Sequence, residues 1–217
     1  MTCARSAHSP FATRFLRAAV FGAVLAISCA QAQSARDEAH DHPAVSRYPD
    51  ARIAHYDFKE YEEGQLMLSK PYFDSKTRRL VADKLLAVEG KVTYLHYEIP
   101  KSVSTLQVFR NYQSALKRSG FNELFVCARP CYDNNLSDLR ELLKARDLYL
   151  NGSYDLQYLA AQRGDTYVSL AVNSFGGGAG PEVWMFVIEK EALDDGKMAV
   201  TGDSAIAKAL NTNGRVD

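Results

Sequence analysis

Apolar and polar positions along the chain switch between a period of two and a period near 3.6, which separates strands from helices. Over 52–61 the side chains alternate. Ile53, His55, Asp57 and Lys59 share one parity, and Ala54, Tyr56, Phe58 and Glu60 share the other. This predicts a half-exposed strand that Gly64 breaks. Residues 65–70 form a short strand candidate ending at Pro71, and 72–77 read as loop. The stretch 80–88 suits helix and strand equally. Glu89-Gly90 has the composition of a turn. Residues 91–99, rich in β-branched and aromatic side chains, complete a predicted hairpin that Pro100 ends.

The strongest helical pattern is 104–119. Ser104 and Gln107 have capping-box spacing, and Leu106, Phe109, Tyr112 and Leu116 recur three and four apart as one apolar stripe. Gly120 supplies a left-handed stop. A strand at 121–127 follows, so strand, helix and strand make a compact split-βαβ pattern. Leu136, Leu139, Leu143 and Arg146 share a face, with Leu142 beside them, and predict a second helix over 136–149. Strands at 154–161 and 166–174 flank the tight turn Arg163-Gly164-Asp165, and 183–189 is a third. A short edge at 198–200 and a short helix at 204–210 close the chain. The expected fold class is α+β: an antiparallel sheet containing 91–99, 121–127, 154–161 and 166–174, with helices packed on one face and a split-βαβ-like core. Alternation leaves the other face free to stay wet.

The first 32 of the 217 residues have a different composition. Arg5, Arg14 and Arg17 precede an apolar run over 18–27, and Ala30-Gln31-Ala32 fits the small-x-small rule for cleavage. Basic, apolar, then small-residue site is the order of a secretory signal peptide. The run is shorter than the roughly 20 residues of a spanning helix, which sets a cleaved leader above a membrane anchor. A second route stays open. Cys29 follows Ser28, as in a lipoprotein signal, although Ala26 stands where leucine is usual. A lipid at Cys29 would anchor the protein. The expected organisation is a signal peptide over 1–32, a flexible polar arm over 33–47, and a single α+β domain over 48–217 that resides in the periplasm, in possible association with the outer membrane.

The whole chain balances 26 basic against 26 acidic side chains, and losing the three leader arginines leaves a net charge of −3. This argues against a nucleic-acid partner, which calls for a basic excess. Cys3 and Cys29 lie in the leader, so only Cys127 and Cys131 remain. In an oxidising compartment, Cys-Ala-Arg-Pro-Cys reads as one structural disulfide in a loop. Three intervening residues set it apart from a thioredoxin-type redox pair. No histidine is near in sequence to complete a metal site.

No catalytic constellation emerges. Neither Gly-x-Ser-x-Gly nor His-Glu-x-x-His occurs. His40-Asp41-His42 offers metal-ligand types, but in the predicted arm it reads as a solvated polar tail. His96 reads as a cross-strand contact. Gly176-Gly177-Gly178 lacks the Gly-Lys-Ser/Thr ending of a phosphate loop and is followed by Pro181-Glu182, so it reads as a hairpin loop. The many tyrosines, among them Tyr94, Tyr97, Tyr154, Tyr158 and Tyr167, suit sheet packing, or a face that binds a glycan or a peptide. No cofactor and no metal are expected.

Several motifs occur in an order that resembles a known family. They are Val88-Glu89-Gly90-Lys91-Val92-Thr93, Tyr97-Glu98-Ile99-Pro100-Lys101-Ser102 and 104–112. Further along come Gly120-Phe121, Cys127 and Cys131, Tyr158-Leu159-Ala160-Ala161, and Gly164-Asp165-x-Tyr167-Val168-Ser169-Leu170. Over roughly 43–215 the chain is similar to an envelope domain of Gram-negative bacteria that commonly precedes an OmpA-type peptidoglycan-binding domain. That domain brings no established catalytic residues to carry over. The sequence stops at Asp217 without an OmpA-type domain, so peptidoglycan binding is not expected of it. The resemblance implies a non-enzymatic interaction module of the outer envelope whose partner is an envelope protein or glycan. An envelope enzyme with an unrecognised active site, or a glycan- or peptide-binding protein, is the alternative.

Overall fold

A computed structural model describes residues 39–128, 131, 139–145, 155–174, 178–198, 208 and 210–212. Among them the elements run β1 (Arg52–Met67), β2 (Tyr72–Asp74), β3 (Arg79–Val81), β4 (Leu85–Glu98), α1 (Thr105–Arg118), β5 (Asn122–Cys127), α2 (Leu139–Leu142), β6 (Gln157–Arg163), β7 (Thr166–Ser174) and β8 (Pro181–Lys190). Six strands form one sheet in the order β1-β4-β8-β7-β6-β5, and β2 and β3 pair separately. Every neighbouring pair in the sheet is antiparallel. β4 and β5 therefore run parallel with three strands between them, and α1 is the connection that crosses those strands.

Side chains alternate across the sheet, so neighbours on β4 belong to different cores. Leu95 and Tyr97 join Leu159, Leu170, Val183 and Met185 with the α1 residues Val108, Phe109, Tyr112 and Leu116. Tyr94 and Val92 join Tyr158, Trp184, Phe186 and Ile188 with Leu139, Leu142 and Leu143. The two helices thus bury their apolar side chains on opposite faces, where the sequence pattern placed both on one. Seven consecutive β7 residues, Tyr167 to Asn173, are buried. Neither face of the central sheet is wet, because each carries its own apolar layer.

α1 begins where Ser104 Oγ accepts the Gln107 N–H at 3.1 Å, as its capping spacing predicts. It ends in a Schellman motif. Gly120 takes φ +82°, its N–H donates to Lys117 O, and the Phe121 N–H donates to Leu116 O at 3.0 Å. The buried face is Thr105, Val108, Phe109, Tyr112 and Leu116, while Leu106 is 48% exposed. At about 100° per residue Leu106 falls on the far side of Phe109, outside the arc centred on Tyr112 and Leu116.

β1 does not stop at Gly64. It runs on to Met67, taking in the first part of the separate strand expected at 65–70. Gly64 lies against the Ile188 side chain, which a Cβ would overlap, so glycine here permits close approach instead of a break. Gly90 likewise is no turn. β4 passes straight through it, and a Cβ would strike the Glu189 carbonyl. Part of the expected loop 72–77 is strand β2, which pairs through Phe73 with Leu80 of β3. The second helix is shorter than 136–149. Its described part ends at Leu142, and Lys144 takes φ +54°. Residues 136–138 and 146–149 lie outside the described residues, as do the expected signal peptide, 199–200 and most of 204–210.

Residues 39–47, the later half of the expected flexible arm, are packed against the domain. Val45 and His42 are buried. Asp41 accepts from Arg47 Nε at 2.9 Å and from the Tyr97 hydroxyl at 3.0 Å, and the Tyr48 N–H donates to Tyr112 Oη at 3.0 Å. Polar composition concealed this, because hydrogen bonds to buried tyrosines anchor the segment alongside the apolar contacts of Val45.

Candidate functional site

A cleft of about 850 Å³ lies between β1 and α2. Tyr94 of β4 lies at its floor, with Lys59, Glu62 and Glu63 of β1 and Arg140, Glu141 and Lys144 around it. A β-bulge builds the β1 wall. Lys59 pairs with Val92 and Glu62 with Gly90, so three steps on β1 match two on β4. In a regular strand Lys59 and Glu62, three residues apart, would point to opposite faces.

The wall is tied together. Lys59 Nζ lies 2.8 Å from Asp57 Oδ2, Lys144 Nζ pairs with Glu63 Oε1, and Gln65 Nε2 donates to the Leu142 carbonyl. The Arg140 and Glu141 side chains make no ion pair to another described residue. The cleft therefore presents three cations and three carboxylates around one aromatic ring. Such a lining suits a polar ligand bearing both signs of charge. Among its lining residues there is no histidine, serine or cysteine.

On the same sheet face a polar row lies beside Tyr94. The His96 ring stacks on Trp184 with centroids 3.6 Å apart, and its Nε2 is 3.1 Å from Glu182 Oε2. Trp184 Nε1 donates to Asn173 Oδ1 at 3.1 Å. His96 and Trp184 are directly paired across β4 and β8, so His96 makes the cross-strand contact read from its place in the strand. Further along, the Tyr158 hydroxyl sits between Ser169 Oγ at 3.0 Å and the Met67 N–H at 2.9 Å. Burial pushes this hydroxyl up to about 12.

Tyr97 and Tyr112, on the α1 side, are also raised well above the usual tyrosine value. Burial is the main cause for both, and Asp41 adds to it for Tyr97. His42 accepts the Ala44 N–H on Nδ1 at 3.1 Å, and its Nε2 lies 3.6 Å from Glu189. Burial lowers its pKa below 6.5, against the pull of the Glu189 carboxylate. His40 stands against Tyr56 with ring centroids 5.1 Å apart. The His40-Asp41-His42 triplet is thus part of the fold. No group of three metal-ligand side chains occurs among the described residues.

Cys127 and Cys131 are joined, with Cα atoms 5.1 Å apart, and the Cys131 N–H donates to the Leu156 carbonyl. The bridge fastens the end of β5 at the entry to β6. Gly164 takes φ +56° in the β6–β7 turn, as expected of Arg163-Gly164-Asp165. Gly176, Gly177 and Tyr154 lie outside the described residues. Of the described tyrosines named from sequence, Tyr94 lines the cleft although it is only 4% exposed, and Tyr97, Tyr158 and Tyr167 are buried in the cores away from it. The charged residues of the cleft were not singled out, since they meet only through the bulge and α2. No protein-family model matches the chain, and no curated protein matches it.

Proposed function

We propose that this protein is a non-enzymatic interaction module of the periplasm and outer envelope, similar to the domain that precedes OmpA-type peptidoglycan-binding domains. It holds an envelope protein or glycan in the cleft over Tyr94. The layering of α1 on the far side of the sheet is its rigid back. The leader-like residues 1–32 support export, and the Cys127–Cys131 pair suits an oxidising compartment.

The observation that carries the reading is the cleft itself: about 850 Å³, with Tyr94 beneath it and a rim on which Arg140 and Glu141 make no ion pair to another described residue. Within that volume range a few placed polar groups fix a ligand's orientation. The balance of signs favours a polypeptide bearing both charges over a purely anionic glycan. Capture from an envelope extract tests this, with wild type run beside Arg140→Glu and Lys144→Glu. The expected result is a partner retained by wild type and lost by both variants. A partner held equally by all three proteins would overturn the assignment of the cleft.

A further inference from the structure

The β2–β3 hairpin pairs only with itself, and buried Leu80 of β3 fastens it to the core. It carries two of the most exposed aromatic side chains, Tyr72 at 49% and Phe73 at 48%. As neighbours on one strand they point to opposite faces of the ribbon. Around them Lys70, Lys76, Arg78, Arg79 and Lys84 are all exposed, and none makes an ion pair to another described residue. The same stretch has two acids, Asp74 and Asp83, so it carries a net charge of +3 in a chain that is balanced overall.

Both acids are engaged within the hairpin. Asp74 accepts from Thr77 Oγ1 at 2.7 Å and from the Lys76 N–H at 3.0 Å, which holds its carboxyl below the usual range. Asp83 accepts the Tyr72 hydroxyl at 3.1 Å. The cations are left facing outward.

We propose that this hairpin docks the protein on an anionic lipid bilayer. Charge and residue type select a bilayer. The exposed cations complement anionic phosphates, and tyrosine, phenylalanine and long basic side chains are the residue types that sit at a membrane interface, rings in the headgroup layer and charges on the phosphates. This inference is independent of the cleft, which lies between β1 and α2.

Sedimentation with vesicles tests it. The protein purified after export is mixed with phosphatidylglycerol–phosphatidylcholine vesicles and, separately, with phosphatidylcholine vesicles. Binding is expected to the anionic vesicles alone and to weaken as salt is raised. Lys76→Glu with Lys84→Glu should reduce it at least about tenfold, as should Tyr72→Ser with Phe73→Ser, while Arg110→Glu on α1 leaves it unchanged. The charge-reversal pair alters only exposed side chains, so it decides the matter even if the aromatic pair perturbs folding. No binding, equal binding to both vesicles, or binding indifferent to the charge reversal would overturn the proposal.

Discussion

The backbone N–H of Met67 donates to the hydroxyl of Tyr158, 2.9 Å away and 91 residues along the chain. The bond ties the end of the edge strand β1 to β6, four strands across the sheet. The same hydroxyl meets Ser169 Oγ, so one buried atom serves two elements. Tyr158→Phe leaves the Met67 donor unpaired in a dry site and should cost about 1–3 kcal/mol. Urea denaturation reads this directly.

Tyr158 also predicts alkaline behaviour. Its hydroxyl is raised to about 12 in the folded state, above the ordinary 10.0 of an unfolded chain. The folded state therefore favours the neutral form. This contribution to stability is fully present below pH 10 and is lost as pH rises through about 12. Tyr97 and Tyr112 are shifted in the same direction and add to the effect. A steep loss of stability above pH 10, milder in Tyr158→Phe, is the expected profile; parallel profiles in the two proteins would contradict it.

Phe109 is 1% exposed and Leu106 is 48% exposed on the same helix. Phe109→Ala should cost about 3–5 kcal/mol, and Leu106→Ala less than about 1 kcal/mol. Two urea midpoints decide it, and equal midpoints would mean that α1 packs differently.

These two residues also mark how far sequence reasoning reaches. Ser104, Phe109, Tyr112 and Gly120 declared the helix and its ends, because caps and apolar spacing are local signals. Leu106 misled, because hydrophobicity alone does not say which edge of a stripe meets the sheet. Gly64 and Gly90 misled in another way. A glycine that ends a strand and one that admits a neighbouring chain look alike until Ile188 and Glu189 are in place. The cleft was the least legible. Lys59 and Glu62 share a face only through a bulge, and Arg140 arrives from a short helix far along the sequence.

His42 is buried with its pKa lowered from 6.5, chiefly by desolvation. The folded state favours the neutral ring, so its contribution to stability is present above pH 6.5 and is lost as pH falls through the lower folded value. Glu189, on the other side, opposes the loss while it stays ionised. Acidification should loosen residues 39–51 before the sheet, seen as faster amide exchange at Val45 and Ala51, whose N–H groups donate to His42 O and Tyr48 O. Replacing His42 with Asn should remove the pH dependence; exchange that ignores pH in wild type would count against this role.

The proposed export makes two chemical predictions. The mature protein should begin at Gln33, as mass spectrometry of the envelope fraction would read; a diacylglyceryl-modified Cys29 would make it a lipoprotein instead. Cys127 and Cys131 should yield no free thiol, and replacing both with serine should cost about 2 kcal/mol, because the closed loop is short. Two titratable thiols after export would contradict the pairing.

The central claim is that the cleft over Tyr94 receives an envelope component. A photo-crosslinking side chain placed at Arg140 in living cells tests it most directly, with the same group at Arg110 on the opposite face as control. A defined adduct from position 140, absent from position 110, is the predicted result. No adduct at 140, or the same adducts at both positions, would contradict it.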